Sequence, residues 1–431
     1  MQYFSTNRRS PMADFREAVL RGQPDDNGLY FPATIPRFTA QFLENFRALT
    51  NEQIAFEVIR PYVGDSIGAD ALLNICKESV DLPFPLVPVG DRISALELFH
   101  GPTLAFKDVG ARFMSRCLGH FSGEIDRKAV VVVATSGDTG GAVAAGFHGI
   151  EGVDVVILFP KGKVSRVQEL QLTTLGDNVI TLEVRGTFDD CQLLAKQVLA
   201  DGSLRQDLFI TSANSINIAR WLPQQFYYFF ALKQCNYSEP IFSVPSGNFG
   251  NVAAGLLANA SGMPAGGFIA ACNANDVVPE YLRTGRYEPR RSVSTLSNAM
   301  DVGDPSNFVR IQEIFNGEMA ALRQKLSAVS VSDDETVETI RFVHERYGYI
   351  LDPHGAVGYK ALADRLSGTE ADTTGIFLET AHPIKFDTVG PILGIEIPVP
   401  DAVATLFQKK QVKTEIDADY ETVKEVIRAR I

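Results

Sequence analysis

Short apolar runs alternate with longer amphipathic segments through the middle of the chain. Runs that are apolar throughout are typical of strands buried on both faces, whereas apolar residues spaced three and four apart indicate helices. We predict strands over residues 129–135, 153–160, 178–184, 208–211, 240–244 and 268–272, and helices over 141–148, 165–175, 189–200, 218–234 and 249–260. This alternation predicts an α/β fold around a parallel sheet, in which ligands bind at the carboxyl ends of the strands.

The two ends of the chain follow other patterns. Residues 1–90 show mixed, mostly helical spacing that ends in the proline-rich stretch DLPFPLVPVGD, which is typical of an extended connection. We therefore predict a separate, largely helical N-terminal unit over residues 1–90. Near the C-terminus, the apolar stretch GIFLETAHP predicts a further strand that ends at Thr380.

Composition narrows the class of protein. With 431 residues, of which 45% are hydrophobic and 21% charged, the chain suits two or three domains with large cores. Its net charge of −12 argues against nucleic-acid and anionic-membrane surfaces, and no apolar run has membrane-spanning length. Five cysteines without a Cys-x-x-Cys pair, and histidines without metal spacing, predict reduced thiols, no metal site and a cytoplasmic protein; we expect no signal peptide.

The stretch VVVATSGDTGGAVAAG (131–146) has the pattern of a strand, a turn and a helix. Backbone N–H groups at such a helix start, together with the hydroxyls of Thr135, Ser136 and Thr139, could hold a phosphate or a carboxylate. The same residue types are also ordinary helix caps. On its own, the stretch does not decide between the two interpretations.

A second stretch, IFSVPSGNFGNVAAGLLANASG, repeats this design around residues 246–251. It lacks the Gly-Lys-Ser/Thr of a P-loop, and its alternative is a glycine-rich turn with a cap. Two such loops in one parallel-sheet protein favour phosphate binding.

Lys107 lies in the apolar run ELFHGPTLAFKDVGARF. Desolvation lowers the pKa of a lysine and makes its amine available as a nucleophile or base, although a lone lysine is more often a surface residue paired with a neighbour such as Asp108. Beside two phosphate loops, a reactive lysine points to pyridoxal phosphate, because the amine forms the Schiff base and a loop holds the phosphate.

Two further groups lie at predicted strand ends. In ITSANSINIARWLPQQ, Asn214 and Ser215 precede Arg220, a residue type suited to bidentate anion recognition. Their alternatives are a helix cap and a surface charge. Thr380 offers a hydroxyl that could meet a ring nitrogen.

Taken together, these stretches resemble the threonine synthase family over nearly the whole chain. The motifs YFSTNRR, LFHGPTLAFKD, ATSGDTG, SANSINIAR, VPSGNFGN, LSNAMDVGDPSN, DPHGAVGY and TAHPIKF follow in the family's order. The resemblance is to the longer bacterial and fungal branch, which has an extra N-terminal domain.

The resemblance implies a pyridoxal-phosphate fold of type II with two α/β domains after the N-terminal one. It implies a large cofactor domain over 91–119 and 226–431 and a smaller mobile domain over 120–225. Lys107 would carry the cofactor, Thr380 would bind its ring nitrogen, and Asp138 lies where relatives often have Asn near its 3-hydroxyl. The cofactor loop would comprise Ser246, Gly247, Asn248, Phe249, Gly250 and Asn251. The substrate, O-phospho-L-homoserine, would be held by Thr135, Ser136, Thr139, Asn214, Ser215 and Arg220 and converted with water to L-threonine and phosphate.

Three alternatives remain at this level. A dehydratase or sulfhydrylase of the same fold would not need Arg220 with Asn214 and Ser215, because its substrate lacks a phosphate. A cofactor-free protein that binds phosphorylated metabolites would use only the two loops, and a relative that has lost the activity would act on other phosphorylated compounds. The resemblance implies a monomer, with a homodimer as the alternative, and no role emerges for residues 296–307.

Overall fold

The computed structural model describes residues 1–123, 126–370 and 372–430. Within these residues the strands form three sheets. In chain order the strands are β1 (Gln2–Ser5), β2 (Ala13–Asp14), β3 (Tyr30–Pro32), β4 (Leu86–Pro88), β5 (Ile93–Glu97), β6 (Lys128–Ala134), β7 (Val153–Pro160), β8 (Val179–Arg185), β9 (Leu208–Ser212), β10 (Ile241–Pro245), β11 (Gly267–Cys272), β12 (Leu326–Ser330), β13 (Gly375–Glu379) and β14 (Thr414–Asp417).

Helices cover and connect these sheets. They are α1 (Phe15–Arg21), α2 (Ala40–Asn45), α3 (Asn51–Val63), α4 (Ala69–Ser79), α5 (Lys107–Ser122), α6 (Asp138–Phe147), α7 (Arg166–Thr173), α8 (Phe188–Ala200), α9 (Leu204–Asp207), α10 (Ile218–Trp221), α11 (Phe226–Gln234), α12 (Gly250–Ala260), α13 (Val277–Thr284), α14 (Phe308–Ile314), α15 (Met319–Lys325), α16 (Asp333–Tyr347), α17 (Pro353–Ser367), α18 (Val389–Leu393), α19 (Asp401–Leu406) and α20 (Tyr420–Arg430). None of the described helices is long and apolar enough to cross a bilayer.

The large sheet has the strand order β12-β11-β10-β13-β5-β4 over the described residues. All of its neighbours pair in parallel except β4 and β5. The central strand β10 is buried for most of its length, which explains its mostly apolar sequence. The predicted α/β fold with a parallel sheet is confirmed.

The smaller sheet has the order β14-β8-β7-β6-β9, and its pairs are all parallel. Every residue of β7 is buried, as the apolar run from Val155 to Pro160 predicts. The sheet includes β14, which comes from the end of the chain, whereas the predicted division assigned all of 226–431 to the large domain. The mostly polar sequence of β14, TEID, gave no strand signal because it lies at the edge of the sheet.

The N-terminal unit contains α1 to α4 and a small antiparallel sheet of order β2-β1-β3. The unit is largely helical, as predicted, and its small sheet was not predicted because strands this short leave little alternation to detect. Aromatic side chains join the unit to α11: the rings of Phe38, Phe42 and Phe46 all lie between 5.3 and 5.4 Å from the ring of Phe229. The N-terminal unit therefore shares the main core.

The helix predicted over 218–234 is interrupted. A 3-10 turn, Leu222–Gln225, separates α10 from α11 and contains Pro223, which has no N–H group to continue an α-helix. The turn brings the side-chain amide of Gln224 onto the carbonyl oxygen of Arg220 at 2.9 Å. The interruption thus helps to fix the backbone that carries Arg220.

Candidate active site

A cavity of about 160 Å³ lies where the carboxyl ends of β10 and β13 meet the start of α6. Its lining combines loop and helix residues that follow strands of both parallel sheets. Eleven of the predicted site residues line it: Lys107, Asp138, Thr139, Ser215, Arg220, Gly247, Asn248, Phe249, Gly250, Asn251 and Thr380.

Lys107 is the first residue of α5 and is largely buried, with 19% of its side chain exposed. The N–H of the preceding Phe106 donates to the carbonyl of Thr380 at 2.9 Å, so the start of α5 is tied to the end of β13. Burial lowers the pKa of Lys107, and the positive charges of Lys385 and Arg220 act in the same direction, partly opposed by Asp138. The amine is therefore closer to its reactive neutral form than an exposed lysine.

Asp138 is buried at the start of α6 and contacts two lysines. Its Oδ2 lies 3.7 Å from Nζ of Lys107, and its Oδ1 lies 2.7 Å from Nζ of Lys385. Gln168 also donates to Oδ1 at 3.0 Å. Although burial alone would raise the pKa of Asp138, the charges of Lys385 and Lys107 hold it well below its usual range, so the carboxyl is ionised.

The loop after β10 has the form of an anion cradle. A Cβ on Gly247 would lie 2.5 Å from the Cα of Met300, so the close approach of residues 296–307 requires glycine. Phe249 has the left-handed backbone conformation, with φ of 60°, and α12 begins immediately after it. The first turn of a helix leaves N–H groups without intrahelical acceptors, and the helix dipole favours an anion there.

Asn251 contributes a free donor to the same cavity. Its Oδ1 accepts a hydrogen bond from the hydroxyl of Tyr228 at 2.9 Å, which fixes the amide. Its Nδ2 is buried and has no hydrogen-bond partner within the protein. A buried amide donor without an acceptor is costly, and a bound anion or polar cofactor group would relieve that cost.

Arg220 is a buried cation without an acidic partner. One Nη donates to the carbonyl of Ala213 at 2.6 Å, while Nε has no acceptor. Among the ion pairs of the described residues, none involves Arg220. Burial lowers the pKa of its guanidinium to about 10, which still leaves it charged at neutral pH. A buried cation that faces a cavity without a counterion is suited to bind an anion.

Residues 296–307, for which the sequence suggested no role, form a loop that supports the cradle. Asp301 accepts hydrogen bonds from the side-chain amides of Asn273 and Asn275 at 2.9 and 3.1 Å. Ser306 donates to Oδ1 of Asn248 from both its N–H and its hydroxyl. The loop therefore holds Asn248 from one side and packs Met300 against the cradle.

Four predicted site residues do not line the cavity. Thr135 is buried, and its hydroxyl oxygen accepts hydrogen bonds from the N–H groups of Gly137 and Gly140, so it shapes the first loop. Ser246 donates its hydroxyl to the carbonyl of Val244. The remaining two are Ser136, which is exposed, and Asn214, which is half-buried.

Sequence reasoning missed several residues at the site. Gln224, Met300 and His354 line the cavity, and Lys385 lies directly behind Asp138. His354 is buried and its Nδ1 lies 2.6 Å from Oδ1 of Asp352, while its Nε2 accepts from the N–H of Ala299. Both His354 and Lys385 belong to motifs already noted, DPHGAVGY and TAHPIKF. Apart from their place in these motifs, the sequence carried no local signal for either residue, because their burial is visible only in the structure.

The residues present fit pyridoxal phosphate. The cavity offers a buried amine on Lys107, a helix start with a glycine cradle for a phosphate, and a free amide donor on Asn251. Thr380, at the end of β13, borders the same space. No group of three potential metal ligands occurs among the described residues, so the cavity is not lined by a metal-binding cluster of this kind.

Comparison with known families agrees with this chemistry. The model of the family "Pyridoxal-phosphate dependent enzyme" matches residues 85–379, which is more than half of the chain. The protein is thus a pyridoxal-phosphate-dependent enzyme. The "Threonine synthase N terminus" and "Threonine synthase, C-terminal" models match residues 2–80 and 355–427. The chain belongs to the threonine synthase family.

Individual relatives support the same assignment. A threonine synthase of Serratia marcescens is 42% identical over 408 residues, which cover 94% of each chain. The crystal structure of threonine synthase from Escherichia coli has a TM-score of 0.91 at 38% identity and covers 100% of both chains. A PLP-bound threonine synthase from Brucella melitensis has a TM-score of 0.94 at 36% identity, covering 100% of this chain and 99% of the other.

Proposed function

We propose that this protein acts as a threonine synthase, converting O-phospho-L-homoserine and water to L-threonine and phosphate. The observation that carries this proposal is Arg220, a buried cation that faces the cofactor cavity without an acidic partner. A substrate phosphate would supply the missing counterion. Arg220, Ser215 and Thr139 all border the cavity and are the residues proposed to hold the substrate.

Two separate anion sites distinguish this proposal from its alternatives. The cradle of Gly247 and the start of α12 would hold the cofactor phosphate, which leaves Arg220 for a second phosphate. A dehydratase or sulfhydrylase acts on a substrate without phosphate, and its catalysis would leave the Arg220 charge buried and uncompensated. Arg220 therefore favours a phosphorylated substrate.

The chain's own residues would perform the proton transfers. When bound, pyridoxal phosphate supplies an electron sink for carbanions. The amine of Lys107 would take a proton from Cα of the substrate and return protons later in the cycle, since its lowered pKa makes the neutral amine easier to form than in an exposed lysine. Thr380 would position the ring through a hydroxyl, which, unlike a carboxylate, does not stabilise a protonated ring nitrogen.

We also propose how the protein is organised around this reaction. Residues 120–225 form the smaller domain, together with β14, and close over the substrate so that water enters the reaction only after phosphate leaves. The enzyme works as a monomer in the cytoplasm, where its cysteines stay reduced. The five cysteines are free thiols in the structure, consistent with a reducing compartment.

The test is an assay of the purified protein with O-phospho-L-homoserine and pyridoxal phosphate. We expect threonine and phosphate to appear in equal amounts, and Lys107→Ala to abolish both. Lys413→Ala, which removes a lysine paired with Glu169 and Glu183 outside the cavity, is the matched control and should retain activity. A 2-oxo acid and ammonia in place of threonine would assign the protein to the dehydratases.

A further inference from the structure

Lys385 is a buried lysine with two specific partners. It lies in the 3-10 turn Pro383–Lys385 after β13 and is 1% exposed. Its Nζ is 2.7 Å from Oδ1 of Asp138 and 2.6 Å from the carbonyl oxygen of Thr103. Burying an ammonium group is costly unless it is paired, so the ion pair with Asp138 is the interaction that permits Lys385 at this position.

Asp138 is shared between two lysines, one on each carboxylate oxygen. Lys385 contacts Oδ1 at 2.7 Å, whereas Lys107 is farther away, 3.7 Å from Oδ2. The carboxylate is thus paired first with Lys385. A carboxylate that is already paired stabilises the protonated form of Lys107 less than an unpaired carboxylate at the same distance would.

Other charged groups surround this arrangement. Arg220 is the further cation that acts on Lys107. The charge of Lys385 also lowers the pKa of Asp108, whose carboxylate accepts a hydrogen bond from the N–H of Thr103 at 3.0 Å. The same charge lowers the pKa of His382. Asp138 is thus the acidic group that links Lys385 to Lys107.

We propose that Lys385 is a positioning residue that acts on Lys107 through Asp138. Its ammonium group balances the Asp138 carboxylate, so that Asp138 orients the Lys107 amine without retaining a proton on it. Cofactor attachment and proton transfer both require that nitrogen to give up its proton near neutral pH. The proposal rests on Lys107 being the cofactor lysine, as in the proposed function, but not on the identity of the substrate.

The test is a pH titration of the visible absorption of the cofactor-loaded full chain. Lys385→Met leaves Asp138 with Lys107 as its remaining cationic partner. We expect the apparent pKa of the Lys107 nitrogen to rise by about one unit or more, because an opposite charge at this range typically moves a pKa by about 1–3 units. Asp138→Asn should lower the pKa, since Lys385 is then an unbalanced positive charge. The double variant should lie between the two single variants.

Two controls make the result specific. Lys107→Ala should remove the pH-dependent part of the spectrum, which assigns that part to this lysine. Lys413→Met removes a lysine with two carboxylate partners outside the cavity and should leave the titration unchanged. Circular dichroism verifies that each variant is folded.

Lys385→Met buries a carboxylate that has lost its closest cation, and this could prevent folding. The double variant removes both charges and should be more stable than Lys385→Met. Comparing it with Asp138→Asn then gives the answer, because loss of Lys385 without the Asp138 carboxylate removes only a direct repulsion and should raise the pKa by less than about one unit.

An unmoved titration in Lys385→Met would overturn the proposal, and so would a shift of about one unit or more between Asp138→Asn and the double variant. An equal shift on loss of Lys385 with and without the Asp138 carboxylate would also overturn it, because the effect would then not pass through Asp138. If the pH-dependent spectrum survives Lys107→Ala, the assignment of the cofactor lysine fails as well. These results separate failure of this proposal from failure of the proposed function.

Discussion

The side-chain amide of Asn248 donates a hydrogen bond to the hydroxyl of Ser215 at 2.8 Å. Asn248 belongs to the cofactor loop after β10 of the large sheet. Ser215 belongs to the connection between α10 and β9, and β9 is a strand of the smaller sheet. The bond therefore joins the two proposed phosphate sites directly. Asn307 reinforces it by donating to the same hydroxyl at 3.3 Å.

Removing either partner should affect the two sites together. We expect Asn248→Ala and Ser215→Ala each to lower kcat/KM, and a double-mutant cycle to give a coupling energy of about 1 kcal/mol, or roughly fivefold in kcat/KM. The control cycle pairs Asn248→Ala with Thr339→Ala, whose hydroxyl bonds to the carbonyl of Glu335 in α16. That cycle should be additive. If the effects on kcat/KM were additive in the first cycle as well, the hydrogen bond would not couple the two loops.

Arg220→Gln should separate substrate binding from cofactor binding. Loss of a charge-assisted contact should raise KM for the phosphorylated substrate between about tenfold and a hundredfold. The ligand-free protein should not lose stability, because the variant removes a buried cation that has no acidic partner. Steady-state kinetics, cofactor occupancy and thermal unfolding provide the three measurements.

The control for Arg220 is Arg283→Gln, which removes an exposed arginine paired with Glu280. It should change none of the three quantities. Loss of cofactor occupancy in Arg220→Gln with an unchanged KM would instead assign Arg220 to the cofactor phosphate.

Gly247→Ala should weaken cofactor binding. The added Cβ would lie 2.5 Å from the Cα of Met300, and neither group can move without shifting a backbone segment. We expect the Kd for pyridoxal phosphate to rise by about tenfold or more, as the cradle is displaced from its hydrogen-bonding geometry. Gly202→Ala is the matched control because no atom lies within 4 Å of its added Cβ. Equal Kd values for the two variants would contradict the close packing of residues 296–307 on the cradle.

His382 should contribute to the acid sensitivity of the fold. Burial, assisted by the positive charge of His100, lowers its pKa to about 4, whereas in an unfolded chain it titrates near about 6.5. The unfolded state therefore binds more protons between these two pH values, so stability is present above about pH 6.5 and falls as the pH drops towards 4.

His382→Asn should flatten this part of the profile. Asn can accept the N–H of Ile384, as Nδ1 of His382 does at 3.1 Å, without titrating. Between pH 6.5 and 4, we expect the variant to lose roughly 2 kcal/mol less stability than the wild type, measured by urea unfolding. Parallel pH profiles for the two proteins would show that His382 does not carry this dependence.

Much of the fold could be predicted from the sequence because most strands of the two parallel sheets are buried on both faces. β7 and β10 show this as mostly apolar runs, each with one polar residue, Asp154 and Ser243. The strand β5 was missed because ISALE is short and includes Ser94 and Glu97. β14 was missed because it is a polar edge strand.

The residues of the site also fall into a group that could be predicted from the sequence and a group that could not. Its two loops could be predicted because the strand, the turn and the helix of each are contiguous in the chain. Lys385 and His354 act through contacts with distant segments, Lys385 with Asp138 and His354 with Ala299. Their residue types gave no local signal, so their roles needed the tertiary structure.

The position of β13 has a consequence for how the enzyme is made. This strand lies between β10 and β5 in the large sheet, yet it is the last of the sheet's strands to leave the ribosome. Until then Lys107 has no Thr380 beside it, and two unpaired strand edges remain exposed. The cofactor pocket is thus completed only near the end of synthesis, and chains that terminate before β13 would be inactive fragments with open edges, prone to aggregation and degradation.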